Sequence, residues 1–359
     1  MTTRLSATLR VGILGAGGYT GAELVRLLHQ HPRLSIVMVG AREKAGKRLS
    51  EVLPGTLGVA GLSDLVLEGF DPEQDAAALA KRIDVAFLCL PHAASARAGK
   101  ALYEAGVQVV DLSADFRLKD AAIYQKTYGE HPATELLSRA VYGQPELHRA
   151  ELAGARLIAA PGCHVTTALL PLAPLLKKHL IESWPIIIDS KTGVSGGGRS
   201  PAPAFHYPEA TDSIRPYKVG STHRHVPELE QELSLAAGAP IKVCFTPVLV
   251  PMSRGILVTA YVKPQLGVTA ESCRAAATEL YRDGLVSVLP AGTLPDTLWV
   301  RGSARAHVAY VADEHAGLIL AMCAIDNLAR GASAQALQAF NVSQGWEDGL
   351  GLPELPLFP

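Results

Sequence analysis

The sequence predicts an α/β protein whose first half is an open parallel sheet and whose second half turns to an α+β arrangement. Three observations carry this expectation. A short apolar strand, Leu9–Leu14, runs into a glycine-rich turn and then a helical pattern. Apolar strands and helical segments go on alternating as far as Leu112. Beyond residue 160 the apolar strands are joined by Pro/Gly turns instead, the pattern of a largely antiparallel sheet. With 359 residues, 48% hydrophobic and 19% charged, the chain is long enough for two domains.

The first turn reads Gly15-Ala16-Gly17-Gly18-Tyr19-Thr20-Gly21 and leads into Ala22-Glu23-Leu24-Val25-Arg26-Leu27-Leu28. Glycines let a backbone approach a pyrophosphate, and a helix N-terminus stabilises its charge. Gly15, Gly17, Gly18, Tyr19, Thr20 and Gly21 are therefore candidate dinucleotide contacts. The strict GxGxxG spacing fails at Thr20; Gly15, Gly18 and Gly21 fit GxxGxxG instead. A second strand, 34–39, ends near Arg42, whose guanidinium suits a ribose 2′-phosphate, so NADP is expected over NAD. Residues 83–91 read as a buried strand, 92–106 as a helix and 107–112 as a further strand. Cys89 falls in the first of these and reads as an inert core thiol. The loop 113–120 then lies at the carboxyl end of a parallel strand, where open α/β sheets bind ligands. Its Arg117 can meet a phosphate or carboxylate, or pair with Asp115 or Asp120.

The second half is organised around Ala160-Pro161-Gly162-Cys163-His164-Val165-Thr166-Thr167, followed by an apolar helical run. A Pro-Gly turn feeding a helix places Cys163 at or near its N-terminus, where unpaired N–H groups and the dipole favour a thiolate. Apolar strands follow at 185–189, 241–250 and 255–262, with a helix over 269–283. A glycine-rich stretch, 191–200, can lie close to a ligand. Residues 217–228 bring His223 and His225 just ahead of Pro227, a helix opening. Two histidines one residue apart are too sparse for a metal site, and no metal is expected. A cysteine in one place and a histidine in another are what a thiol–imidazole pair looks like before folding.

Five cysteines without a CxxC pair support neither a disulfide framework nor zinc. A net charge of −1 with no basic run excludes a nucleic-acid footprint. No stretch approaches the roughly 18 apolar residues of a spanning helix, and Met1-Thr2-Thr3-Arg4-Leu5-Ser6 opens no apolar leader. These features lead to the expectation of a cytoplasmic protein with a small-molecule substrate.

Taken together, Gly15 to Gly21, Asp111-Leu112-Ser113-Ala114-Asp115-Phe116-Arg117, Tyr128-Gly129-Glu130-His131-Pro132, Pro161-Gly162-Cys163, Gly193-Val194-Ser195-Gly196, His223-Arg224-His225-Val226-Pro227-Glu228 and Asp326-Asn327-Leu328-Ala329-Arg330-Gly331 resemble the N-acetyl-gamma-glutamyl-phosphate reductase family, relatives of aspartate-semialdehyde dehydrogenase. The resemblance runs in order across almost the whole chain. It implies a Rossmann NADP-binding domain over residues 1–160 and 326–359, and an inserted α+β catalytic and oligomerisation domain of the glyceraldehyde-phosphate-dehydrogenase type over 161–325. A last helix, 326–340, would return to the first domain and bring Asn327 near the nicotinamide end of the cofactor.

The resemblance further implies NADPH-dependent reduction of N-acetyl-L-glutamyl 5-phosphate to the 5-semialdehyde and phosphate through a Cys163 thioester, in arginine biosynthesis. In that reading His223 is the acid–base residue. Arg117, His225, Tyr217 and Ser195 bind substrate, with Arg117 at its phosphate, and Ser113, Gly196 and Asn327 join the cofactor contacts. A homodimer or homotetramer through the catalytic domain is implied as well. The chain departs from the family's usual residues at Ala160, His164, Val165 and Ala304, which leaves the pocket beside the sulfur open. A sister group acting on carrier-protein-bound aminoadipyl or glutamyl phosphate in lysine biosynthesis is an alternative, although 191–199 looks more like the arginine branch. A non-catalytic NADP-binding redox regulator is another.

Overall fold

A computed structural model describes residues 8–282 and 284–358. Met1 to Ser6, and Asp283 at the end of the helix expected over 269–283, lie outside the described residues. The chain forms two compact units. One runs to Ala160 and takes in Ala336–Leu352; the other is Pro161–Gln335 with the chain from Pro353 on.

In the first unit β1 (Leu9–Leu14), β2 (Leu34–Gly40), β3 (Leu67–Glu68), β4 (Val85–Leu88), β5 (Gln108–Asp111), β6 (Val141–Tyr142) and β7 (Leu157–Ala159) form one sheet in the order 3-2-1-4-5-7-6. Every pairing is parallel. Parallel strands covered on both faces read as unbroken apolar runs, and β4 is buried at all its residues. The strand order reverses between β1 and β4, so a ligand crevice opens beyond their carboxyl ends.

The glycine turn lies there, followed by the helix Tyr19–His29. That helix buries Gly21, Leu24, Val25 and Leu28, the spacing of one helical face, and stops just before Pro32. Cys89 is the first residue beyond β4 rather than within it. The chain from Ala336 rejoins this unit, where the Phe340 ring meets Phe87 edge-on at 5.7 Å.

The second unit holds β8 (Ile181–Thr192), β9 (Arg215–Pro216), β10 (Cys244–Leu249), β11 (Ile256–Pro264), β12 (Val286–Val288), β13 (Ala306–Asp313) and β14 (Leu318–Ile325), in the order 12-13-14-11-8-10-9. The β8–β10 and β12–β13 pairs are parallel, the rest antiparallel. Against β8, β11, β13 and β14 packs the helix Cys163–Lys177, buried everywhere except at its two end residues.

Pro171 and Pro174 lie inside this helix, and an interior proline costs about 3 kcal/mol or more. Two features offset that cost. Leu169, Leu170, Leu172, Leu175 and Leu176 are all at most 3% exposed, and each buried leucine contributes roughly 1.5–3 kcal/mol. The Leu170 carbonyl, deprived by Pro174 of its helical N–H, accepts the Tyr281 hydroxyl at 2.8 Å instead.

The boundary expected at residue 326 does not coincide with the division into units, and no helix runs from 326 to 340. Asp326 is fully buried, and its carboxylate accepts from the Gly302, Leu328 and Ala329 N–H groups and pairs with Arg254 at 2.9 Å. These partners tie 326–329 to the second unit. A wide turn then follows, with Gly331 N–H donating to the Asp326 carbonyl and Ser333 N–H to that of Leu328, each five residues back. The regular helix is Ala334–Ser343.

Candidate active site

Cys163 opens the helix Cys163–Lys177, and Gly162, its N-cap, offers no side chain to the first-turn N–H groups. Those groups and the dipole are left to stabilise negative charge at this end, where the thiol stands. Two bonds hold the turn. The Gly162 N–H donates to Glu228 Oε1 at 2.8 Å, and Thr167 Oγ1 donates to the Cys163 carbonyl at 2.7 Å. Glu228 is 1% exposed and sits in the first turn of its own helix, Val226–Ala237. Gly331 closes the other side, for a Cβ there would stand 2.8 Å from Cys163 Cβ.

Three histidines and a tyrosine cluster in the same unit. The His223 ring lies 4.8 Å from that of His225, 5.5 Å from that of His164 and 5.5 Å from that of Tyr217. Phe245 packs edge-on against His164 and His223. Burial, and then the positive charges of Lys218 and Arg224, bring His223 down to about 4, so its imidazole is neutral at neutral pH. Its Nδ1 accepts the His225 N–H at 3.1 Å, which puts the proton of the neutral ring on Nε2. Burial, and then His223, bring His164 down to about 3. Burial and the charge of Cys163 push the Tyr217 phenol well above its ordinary range. Among the described residues no group of three or more His, Cys, Asp or Glu is arranged to hold a metal ion.

Ser195, Gly196 and Asn327 also meet in the second unit. The Asn327 amide accepts the Gly255 N–H at 2.7 Å and donates to Ser195 Oγ at 2.9 Å, and Gly196 lies beside it. Asn327 thus braces the turn that carries Ser195.

In the first unit, Gly15 adopts φ +92°, and a Cβ there would stand 2.3 Å from the Cys89 carbonyl oxygen; at Gly21 it would stand 2.4 Å from that of Gly15. Only glycine permits this close approach of helix, turn and strand. Gly18 is the N-cap of the helix and Tyr19 and Thr20 lie in its first turn, while Arg42 is exposed just past β2.

Ser113 donates to Asp111 Oδ2 at 2.7 Å and accepts the Asp115 N–H, so its hydroxyl lies in a hydrogen-bonded loop. Burial, and then Asp115, raise Asp111 to about 6. Asp115 accepts from Tyr124 and the Ala96 N–H, and Asp120 caps the helix Ala121–Tyr128. Arg117 donates to the carbonyls of Ala160 and Leu112, at 2.7 and 3.1 Å. At 7% exposure its guanidinium is buried, and these carbonyls offset part of the cost of taking its charge out of water.

Residues 10–155 match the model of the semialdehyde dehydrogenase NAD binding domain, and residues 163–327 that of the semialdehyde dehydrogenase dimerisation domain. A relative from Geotalea daltonii named N-acetyl-gamma-glutamyl-phosphate reductase is 46% identical over 356 residues, 98% of this chain and 100% of its own. One of the same name from Citrifermentans bemidjiense is 45% identical over 353 residues, again 98% and 100%. The chain belongs to the N-acetyl-gamma-glutamyl-phosphate reductase family. Its fold is that of aspartate-semialdehyde dehydrogenases too. The Vibrio cholerae enzyme II complexed with ASA aligns at TM-score 0.70 and 18% identity over 94% of this chain and 98% of that one. The Candida albicans enzyme with NADP aligns at 0.67 and 18% over 96% and 100%.

For a member of the N-acetyl-gamma-glutamyl-phosphate reductase family, the first unit fits a phosphorylated dinucleotide. The turn that only glycine can form leads into a helix N-terminus without a side-chain cap. A second cation, Lys44, reaches over it, its Nζ 3.4 Å from where a Cβ on Gly17 would stand. Lys44 was missed by sequence reasoning, although it stands two residues beyond Arg42. Glu228 and Gly331 close two of the quoted motifs, yet their contacts with the Cys163 turn, and that of Ser190 with His164, were missed because no local pattern shows them. Their importance lies in what folds against them. Among the described residues no helix is long and apolar enough to cross a membrane.

Proposed function

We propose that this chain reduces N-acetyl-L-glutamyl 5-phosphate to the 5-semialdehyde, releasing phosphate. The carrying observation is Cys163 at a helix N-terminus without a side-chain cap, in one unit with a neutral His223 whose proton is on Nε2. The Cys163 thiolate attacks the acyl carbon, the C–O bond to phosphate breaks, and a thioester remains on the sulfur. A thioester accepts hydride where a resonance-stabilised carboxylate does not, which is why a covalent step helps. NADPH, when bound, supplies that hydride. The His223 Nε2–H can stabilise negative charge on the former carbonyl oxygen and exchange the thiohemiacetal proton. The thiohemiacetal then collapses, breaking C–S and returning the thiolate and the aldehyde.

In this reading Arg117 faces the leaving phosphate, and His225, Tyr217 and Ser195 hold the rest of the substrate. The turn 15–21, Arg42, Ser113, Gly196 and Asn327 serve the cofactor. Residues 1–160 with the C-terminal segment act as the NADP-binding domain, and the unit that starts at Pro161 acts as the catalytic and oligomerisation domain. A homodimer or homotetramer through the latter is supported by its match to a dimerisation domain. Five unbridged thiols and the need for NADPH support a cytoplasmic setting.

The test is the reverse reaction. Purified protein mixed with N-acetylglutamate semialdehyde, phosphate and NADP is expected to form NADPH, followed by its absorbance, with no turnover when phosphate is omitted. Cofactor binding without turnover would overturn the assignment in favour of a regulator. Turnover only with a carrier-bound semialdehyde would move the substrate to the lysine branch.

A further inference from the structure

His164 stands next to the nucleophile in sequence, yet its side chain turns into the protein, where it is 3% exposed. Its two ring nitrogens have one partner each: Nδ1 lies 2.7 Å from Ser190 Oγ and Nε2 lies 2.9 Å from the Tyr217 hydroxyl. Ser190 is fully buried in β8, and among the described residues His164 is the partner of its hydroxyl. A buried O–H must donate or be stranded at a cost, whereas an underused lone pair is cheaper. Ser190 therefore donates and His164 Nδ1 accepts.

Burial keeps the imidazole neutral, so its single proton is on Nε2 and is donated to the Tyr217 oxygen. The Tyr217 O–H is then left to donate elsewhere. Tyr217 stands against the side chain of His164, the residue that follows Cys163, with ring centroids 6.4 Å apart. Only one of the two tautomers of His164 gives this direction; in the other, Tyr217 would donate into the ring and present only lone pairs to the site.

We propose that His164 is a positioning residue which, oriented by Ser190, turns the Tyr217 hydroxyl proton toward the oxygen of the group carried on Cys163. This deepens, and rests on, the covalent reading above. The hydroxyl would be a hydrogen-bond donor set in place before reaction, distinct from the N–H of His223. Ser190 and His164 touch no substrate; they act through Tyr217.

The experiment is a double-mutant cycle read as kcat and KM, with a spectroscopic check. His164→Phe is expected to lower kcat about tenfold, the size of one net hydrogen bond, with KM changed far less. Ser190→Ala, a smaller change that leaves the fold least disturbed, is expected to give a loss in the same direction. In a Tyr217→Phe background both losses should shrink to less than about twofold, because there is no longer a proton to direct. Equal fold-losses in both backgrounds, or none in either, would overturn the proposal in favour of a packing role. The ¹⁵N spectrum of histidine-labelled wild-type protein should show His164 protonated on Nε2 and bare on Nδ1. A proton on Nδ1 overturns the chain. Because that spectrum needs no turnover, it decides the matter even if the proposed reaction fails.

Discussion

The helices Tyr19–His29 and Cys163–Lys177 both begin on a glycine N-cap with extended backbone, Gly18 at φ −83° and ψ 172° and Gly162 at φ −71° and ψ 143°. Neither has a side-chain cap, so each presents first-turn N–H groups and the positive end of a dipole to something else. After Gly18 comes Tyr19, 40% exposed, with Lys44 close over the turn; that end suits a negative charge arriving from solution. After Gly162 comes Cys163, hemmed by Gly331, in a helix buried almost throughout; in the proposed reaction that end faces the chain's own thiolate. The helix end sets the sign of the charge. The neighbours decide whether that charge belongs to a visitor or to the chain.

The comparison breaks most visibly at the sulfur. Cys163→Ser should lower turnover in both directions by at least about 10³-fold while NADP affinity, by fluorescence titration, stays within twofold, since an alkoxide is far harder to form than a thiolate. Turnover within tenfold of wild type would remove the second helix end's special role. Next come the histidines. His223→Asn is expected to cut kcat by roughly 10²–10⁴-fold with little change in KM, and His225→Asn to raise KM with a milder loss in kcat. The opposite pattern would exchange their assignments.

Mirrored glycine substitutions sharpen the contrast between the two ends. Gly15→Ala should weaken NADPH at least about tenfold, given its positive φ and the 2.3 Å approach to Cys89, with iodoacetamide labelling of Cys163 unchanged. Gly331→Ala should slow labelling and turnover and leave NADPH affinity alone. If either variant altered both readouts equally, the two ends would not be separable.

Smaller effects follow from charge. His164 and His223 are both held below the ordinary histidine value, so the unfolded chain takes up protons first as pH falls. Their contribution to stability is complete above about pH 6.5 and declines toward about pH 4 and then 3, by at most roughly 1.4 kcal/mol per pH unit for each. Thermal melts from pH 7.5 to 5 should show this decline, and His164→Phe should flatten it; an unchanged slope would contradict the burial of that ring as the cause. Smallest, Arg42→Ala should weaken NADPH several-fold more than NADH, because only the former carries the 2′-phosphate. Equal losses would give Arg42 a role in the loop alone.

Much of the first unit was legible in the residues. The strand Leu9–Leu14 ends where its apolar run ends, and a turn dense in glycine announces itself because backbone approach is a property of consecutive positions. The second site was legible only at its nucleophile. Pro161-Gly162 marks the start of a helix, so Cys163 could be placed, and His223 and His225 stood out as a pair. The end of the chain read less well. Asp326 looks like a helix start, but its carboxylate binds Arg254 and Gly302, far away in sequence, and that holds 326–335 back in the second unit.

Local sequence by itself determined the elements, the glycine turn and the position of the thiol, since periodicity, φ preferences and helix starts act over a few residues. Only the tertiary structure decided which side chains meet that thiol and in which protonation state. Ser190 lies 26 residues from His164, and Tyr217 lies 53 from it. What directs their protons is burial, which strips away water and leaves each buried hydroxyl one partner to satisfy; no window of sequence contains that information.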